Sequence, residues 1–178
     1  MNCTLSAPSF RRAMGSFATG VTVVTVTSAG GERYGMTVNS FSSVSLDPMF
    51  VLVSLNAASR GLELIEDSGA FTINVLSREQ EYLSRWFANR QRPSDSTMFD
   101  GVPISLGATG CPVIIDAAAS FDCQTHRLVP AGDHVIVIGD VAALTHRTDA
   151  EPLVFHSGDY RCVAVAPDAI ERPHLHVA

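Results

Sequence analysis

The chain has 178 residues, 46% of them hydrophobic and 17% charged, with a formal net charge of −6. It is long enough to bury one sizeable core, too apolar for a disordered chain, and too evenly mixed for a membrane span. All 12 basic residues are Arg, which excludes a Schiff-base lysine, a Walker-type phosphate lysine and a lysine general base, and the acidic balance lacks the basic face that nucleic-acid binding needs.

The first element reads as a helix. Phe10, Ala13, Met14 and Phe17 recur at helical spacing, with Ser9 placed as its cap. Val21 to Thr27 is almost purely β-branched and predicts a strand. Ala29-Gly30-Gly31 is a turn signal, and Arg33 to Val38 returns as a second strand. Asn39 to Ser45 is polar and hydroxyl-rich, Asp47-Pro48 breaks the chain, and Phe50 to Leu55 is a buried strand.

Ser59 opens a short helix carrying Leu62 and Ile65, and Ala70 to Leu76 is a further strand. Ser77 to Gln80 fits a capping box ahead of a helix whose apolar face is Tyr82, Leu83, Trp86 and Phe87. Residues 89–110 read as loop with few apolar anchors. Val113 to Ile115, Ala118 to Thr125, His134 to Thr145, Leu153 to His156 and Arg161 to Ala166 read as strands. The expectation is a single domain over 1–178, with its core over about 10–166 and an irregular tail at 167–178. Strands outnumber helices and short turns join most of them, which points to a barrel or sandwich. No glycine fingerprint follows a strand and opens a helix, so a Rossmann-type fold is not expected.

The four cysteines, Cys3, Cys111, Cys123 and Cys162, show no redox-pair or zinc spacing. No charged start followed by a long apolar run marks a secretion signal. The expected setting is the cytoplasm with reduced thiols and no membrane. His174 and His176 form a His-x-His pair without further ligands at recognisable spacing, so no metal is expected.

Three polar clusters can carry chemistry. Thr37-Val38-Asn39-Ser40 and the serines after it offer neutral donors and acceptors suited to a heteroaromatic edge, a polyol chain or a phosphate. Ser54-Leu55-Asn56 runs through Ala57 and Ala58 to Ser59-Arg60, where a helix N-terminus and a guanidinium can take a phosphate. Gly132-Asp133-His134 supplies a histidine ahead of the long strand. Taken singly, these are also what a strand-to-loop junction, a capped helix and a surface histidine look like. No nucleophile elbow or paired acid and base is apparent, which agrees with chemistry carried by a cofactor.

Taken together and in order, these pieces resemble the short-chain flavin reductases, the small components of two-component flavin-dependent monooxygenases. The resemblance runs from about Phe10 to Val165. It includes Phe17-Ala18-Thr19-Gly20-Val21, Gly35-Met36-Thr37-Val38-Asn39-Ser40-Phe41-Ser42-Ser43, Asp47-Pro48 and Phe71-Thr72-Ile73-Asn74-Val75-Leu76. It continues through Gly132-Asp133-His134, Gly139-Asp140-Val141, Pro152-Leu153-Val154-Phe155 and Gly158-Asp159-Tyr160. The resemblance implies a mainly β, FMN-binding split β-barrel of Greek-key topology, forming a homodimer with flavin near the subunit interface. It implies hydride transfer from NADH or NADPH to FMN or FAD, with reduced flavin passing to a partner monooxygenase or halogenase. By the same resemblance Thr37, Val38, Asn39 and Ser40 line the flavin, and Ser54, Leu55 and Asn56 run along its ring. Ser59 and Arg60 hold the phosphate, His134 positions the nicotinamide, and Tyr160 and Arg161 lie nearby. Many family members carry Lys near the phosphate, where this chain has Ala57 and Ala58. A split-barrel oxidase of the pyridoxamine-phosphate type and a non-catalytic flavin-binding module are the alternatives.

Overall fold

The computed structural model describes residues 5–164. The chain opens with helix α1 (Ala7–Met14), then strands β1 (Thr19–Gly20), β2 (Thr22–Thr27), β3 (Arg33–Val38), β4 (Ser42–Leu46) and β5 (Met49–Asn56). Helix α2 (Arg60–Ser68) leads to β6 (Ala70–Val75), and a 3-10 turn (Arg78–Gln80) leads into helix α3 (Glu81–Ala88). A second 3-10 turn (Ser96–Phe99) precedes β7 (Ile104–Leu106) and β8 (Pro112–Ile114). Two long strands follow, β9 (Ala119–Ala131) and β10 (His134–His146), and then β11 (Val154–His156) and β12 (Asp159–Arg161).

Seven strands form one antiparallel sheet in the order β3-β2-β6-β9-β10-β5-β4. β5 and β6 are consecutive in the chain yet have β10 and β9 between them, so α2 carries a crossover and the strand order is of the Greek-key kind. The sheet curls until its two ends approach. There the Ser40 hydroxyl, just past β3, donates to the Ser54 carbonyl of β5 and accepts from the Ser54 N–H, both at 2.9 Å. The mainly β split-barrel expectation is met.

β2 shows why the sheet holds. Its run of valines and threonines is buried from Thr22 to Val26 instead of alternating, because both faces are covered. Val24 and Val26 pack inside the barrel with Val53, Phe71, Ile73 and Val137, where α2 adds Leu62 and Ile65. Val21 and Val23 face the other way, against Leu83 and Phe87 of α3, Met98, Ile114 and Leu153. Burying each such side chain stabilises the fold by roughly 1.5–3 kcal/mol. α2 ends in Gly69, whose positive φ of 68° closes the helix onto β6.

Several details differ from the sequence reading. α1 is capped by Ser6, not Ser9; Ser9 is the third helical residue and completes a reciprocal capping box. The helix is amphipathic as expected, yet none of its residues is buried, and Phe10, Met14 and the following Phe17 are 61%, 53% and 69% exposed. Periodicity sees the stripe but not whether anything covers it. The serine-rich segment after Asn39 forms β4, an edge strand exposed along its length except at the half-buried Ser45. Tyr82 is exposed while Leu83 and Phe87 of the same helix are buried. The stretch expected to be anchor-poor loop is pinned by Met98 and Phe99, both buried. β12 covers only Asp159–Arg161, not the longer strand expected from Arg161 onward. The expected end of that strand, the irregular tail, Cys3 and the His174/His176 pair lie outside the described residues.

Candidate active site

β4 pairs with β5 only as far as Ser42 opposite Leu52, with a bulge at Val44. Beyond Leu52, β5 keeps β10 on one side, through Asn56 opposite His134, and has a free edge on the other. In an antiparallel strand successive residues present their backbone groups to opposite edges. Ser54 and Asn56 therefore share the free edge, whereas Leu55 turns its backbone toward β10 and its side chain, 3% exposed, into the core. Ser40 covers Ser54, so the open stretch of the edge is at Asn56.

Ser40, Ser54, Asn56 and Ser59 of the expected site residues meet at this end of β5. Asn39 is exposed beside Ser40. The Asn56 side-chain oxygen accepts from Ala58 N–H at 2.9 Å, which leaves its amide N–H groups as donors. Ser59 is the N-cap of α2, its hydroxyl oxygen accepting from Leu62 N–H. The first backbone N–H groups of α2 point out of the helix beside it. Other residues serve the fold. Thr37 donates its hydroxyl proton to the Ser84 carbonyl, and Val38 packs against the barrel core while its carbonyl accepts from Thr22.

His134 lies directly across the ladder from Asn56 and is half-exposed. Its Nδ1 is 2.8 Å from Asp133. That contact favours the tautomer with the proton on Nδ1, leaving Nε2 free to accept. The hydrogen bond from His134 holds the Asp133 carboxyl below its ordinary range. Gly132, at φ 67°, permits the tight turn that brings Asp133 and His134 to this end of the β9–β10 ribbon. The Asp133 carbonyl accepts from Ala57 N–H at 3.0 Å, which ties the turn to the segment between β5 and α2.

Arg60 is at the expected place, the first residue of α2, but it is engaged. It donates to Glu32 at 2.9 Å and to Glu63 at 3.1 Å. These hydrogen bonds, Glu32 first, hold the guanidinium above its ordinary pKa.

Tyr160 and Arg161 stand apart. The Tyr160 hydroxyl meets Ser84 at 2.7 Å and its ring packs against Phe155, with Arg85 above it. Arg161 pairs with Asp159 of its own strand. Phe155, on which Tyr160 packs, lines a second feature, a cleft of about 830 Å³; neither Tyr160 nor Arg161 is among its lining residues. It lies between α1, β1, the Asn39–Ser42 segment and the β11–β12 turn. Asn39 and Ser40 both line the cleft, and Ser40 also covers the β5 edge at Ser54. A volume of this size suits a small-molecule ligand.

The residues that sequence reasoning missed are partners. Asp133 was visible beside His134 but had no assigned role, and Glu63 was visible three positions after Arg60. Glu32 sits 28 residues before Arg60 and only the β2–β3 hairpin brings it near, so nothing in local spacing marks it. Among the described residues no group of three His, Cys, Asp or Glu side chains could hold a metal ion, and no helix is long and apolar enough to cross a membrane.

The arrangement combines a helix N-terminus with a guanidinium, a row of neutral amide and hydroxyl groups, and an oriented histidine, without a nucleophile. It suits binding and alignment of an anionic, ring-bearing ligand. Comparison with known proteins agrees. Residues 14–164 match the model of the flavin reductase like domain family. A probable flavin reductase of Rhizobium meliloti is 50% identical over 133 residues, 75% of this chain; the aligned chain spans 42% of that longer protein. An NADH-dependent FMN reductase of Streptomyces nodosus subsp. asukaensis is 45% identical, covering 85% of this chain and 82% of the relative. Among solved structures, the flavin reductase component of a bacterial two-component tryptophan halogenase superposes with a TM-score of 0.84 at 38% identity, covering 90% of this chain and all of that one. The NADH:FAD oxidoreductase of Streptomyces globisporus superposes with a TM-score of 0.83 at 37% identity, over 93% of this chain and all of that one.

Proposed function

This chain belongs to the flavin reductase-like family, and we propose that it is an NADH-dependent flavin reductase, taking FMN or FAD and supplying reduced flavin to a partner oxygenase. The observation that carries the reading is the meeting of Ser40, Ser54, Asn56 and the α2 N-terminus at the end of β5, with His134 facing Asn56 across the β10 ladder. The residues present fit a flavin. The outward N–H groups of α2 and Arg60 suit a phosphate, and the neutral amides and hydroxyls suit a polyol and a ring edge that alternates donors and acceptors.

When bound, nicotinamide and flavin supply the hydride chemistry themselves, C4 donating to N5. The work of this chain is alignment, which needs the two rings at roughly 3–3.5 Å. Asn56 and the backbone edge of β5 would orient the flavin ring. Asn39 and Ser40 would hold the chain that joins ring to phosphate, and Ser59 and Arg60 would take the phosphate. Leu55 supports this edge from inside the barrel, and Thr37 and Val38 fix the strand from which Asn39 emerges. His134, fixed by Asp133, would place the nicotinamide amide through Nε2. Tyr160, packed on Phe155, would steady the wall of the cleft beyond Ser40 from behind, and Arg161, paired with Asp159, follows it on β12.

Two finer points belong to the same proposal. The chain acts as a homodimer, a reading supported by the exposed row of Phe10, Met14 and Phe17, the last two at the cleft wall. It works in the cytoplasm, where the free thiols of Cys111 and Cys123, buried in the fold, suit a reducing compartment.

The test is oxidation of NADH and NADPH at 340 nm with FMN, FAD or no flavin. Flavin-dependent turnover with NADH is the expected result. Absence of turnover with every pairing refutes the proposal.

A further inference from the structure

We propose that Glu32 competes with the flavin phosphate for Arg60 and thereby sets how weakly this enzyme holds its flavin. The inference rests on the preceding reading that Arg60 takes the phosphate. Three observations carry it. First, Arg60 carries two carboxylates: Nη2 donates to Glu32 at 2.9 Å and Nη1 to Glu63 at 3.1 Å. Both terminal nitrogens that could form a bidentate grip on a phosphate are therefore already in use. Second, Glu32 belongs to the turn between β2 and β3, where Ser28 holds its backbone through Glu32 N–H at 3.1 Å and through its carbonyl at 2.8 Å. Its carboxylate is thus delivered from a braced hairpin to the first residue of α2, and it is not a chance contact along one helix. Third, the chain has no lysine anywhere, and the two residues between Asn56 and Ser59 are alanines. No other side-chain cation is supplied by this segment to offset the carboxylate.

Phosphate binding must then displace Glu32 or share the guanidinium with it, and either way the net attraction falls. Glu63 differs in kind. It sits in the first turn of α2, where a carboxylate is favoured by the helix dipole whether or not a phosphate is bound. Glu32 has no such second reason to be there. A reductase that hands reduced flavin onward gains from a phosphate grip that is opposed from within. The opposition acts on the phosphate alone, so ring alignment is untouched.

The experiment measures dissociation constants of FMN and of riboflavin, which lacks the phosphate, by flavin fluorescence at low salt. The variants are Glu32→Gln, Arg60→Ala and the double variant, each checked by thermal melting. Removing one exposed competing charge is expected to tighten FMN binding roughly two- to fivefold. Riboflavin binding should not change, and the gain should vanish in the Arg60→Ala background. If Arg60→Ala weakens FMN while Glu32→Gln leaves it unchanged, the competition is refuted and the phosphate site stands. If Glu32→Gln shifts FMN and riboflavin equally, Glu32 acts through the hairpin and the competition is again refuted. If Arg60→Ala leaves FMN affinity unchanged, the phosphate reading itself falls, and this inference with it.

Discussion

Replacing Ser40 by Ala tests the junction on which barrel and site both depend. The Ser40 hydroxyl donates to one backbone group of Ser54 and accepts from the other, each at 2.9 Å, in a partly buried position. No strand replaces it there, because β4 has already left β5 at Leu52. Ala removes both bonds and leaves the Ser54 N–H and C=O without partners. At roughly 0.5–1.5 kcal/mol per bond the loss is about 1–3 kcal/mol, with water able to recover part of it. For a chain of this size each kcal/mol lowers Tm by about 2–4 °C, so a fall of about 2–12 °C is expected. Because the same bonds fix the edge on which the proposed function places the flavin ring, flavin affinity should weaken as well. Thermal melting with and without FMN, alongside fluorescence titration, measures both. Ser40→Thr keeps the hydroxyl and should recover most of each loss. If Ser40→Ala melts within about 1 °C of the parent, the hydroxyl does not close the barrel and the reasoning fails.

His134→Ala should lower kcat/KM for NADH by roughly tenfold, the equivalent of one lost hydrogen bond, and leave FMN affinity near the parent value; steady-state kinetics and titration separate the two, and a collapse of FMN binding would contradict the assigned role. Gly139→Ala should destabilise the fold by about 1–3 kcal/mol, read from denaturant midpoints, because an added Cβ would lie 2.7 Å from the Phe71 ring and 2.8 Å from Cys123 Cβ. Burial pushes the Cys123 thiol up to about 12. The unfolded chain releases this proton at a lower pH than the folded one, so the contribution is complete below about pH 8.5 and is lost as pH rises toward 12. Cys123→Ser is expected to flatten the alkaline arm of a stability-versus-pH curve, and an unchanged arm would count against the assignment.

The sequence was most informative where local chemistry and burial coincide. β2 and β3, the Ser59 cap of α2 and the Ser77–Gln80 capping box form where they were expected. Each is specified by residues within a few positions of one another. The failures share a cause. Ser9 has the look of a cap because the apolar periodic stripe starts at Phe10; the Ser6–Ser9 pair starts the helix at Ala7. β4 was hidden because an edge strand exposed along most of its length has no apolar signal to show. Met98 and Phe99 are two apolar residues in a polar stretch, and only the tertiary fold shows that they plug the space under α3. In the site, residue types were legible while occupancy was not. Thr37 and Arg60 have the expected identities and positions, yet the Thr37 hydroxyl already donates a hydrogen bond to the Ser84 carbonyl and Arg60 is held by Glu32 and Glu63.

One physical requirement links the dense polar motif to the shape of the barrel. A ligand can read a strand edge only where no neighbouring strand has claimed it, and an unclaimed edge in the body of a sheet is destabilising. This chain meets both demands within a few residues. The bulge at Val44 and the end of β4 pairing free the edge from Val53 onward, and the Ser40 hydroxyl satisfies Ser54. The Asn56 carbonyl then turns back to accept from Ser59 N–H at 3.0 Å. What stays open is a short stretch at Asn56, directly opposite His134 and one turn from the α2 N-terminus. The clustering of Asn and Ser at 39–42 and 54–59 therefore follows from closing a barrel while leaving one gap in it. Substitutions in either segment should move stability and flavin affinity together, whereas Glu32, outside the closure, should move affinity alone.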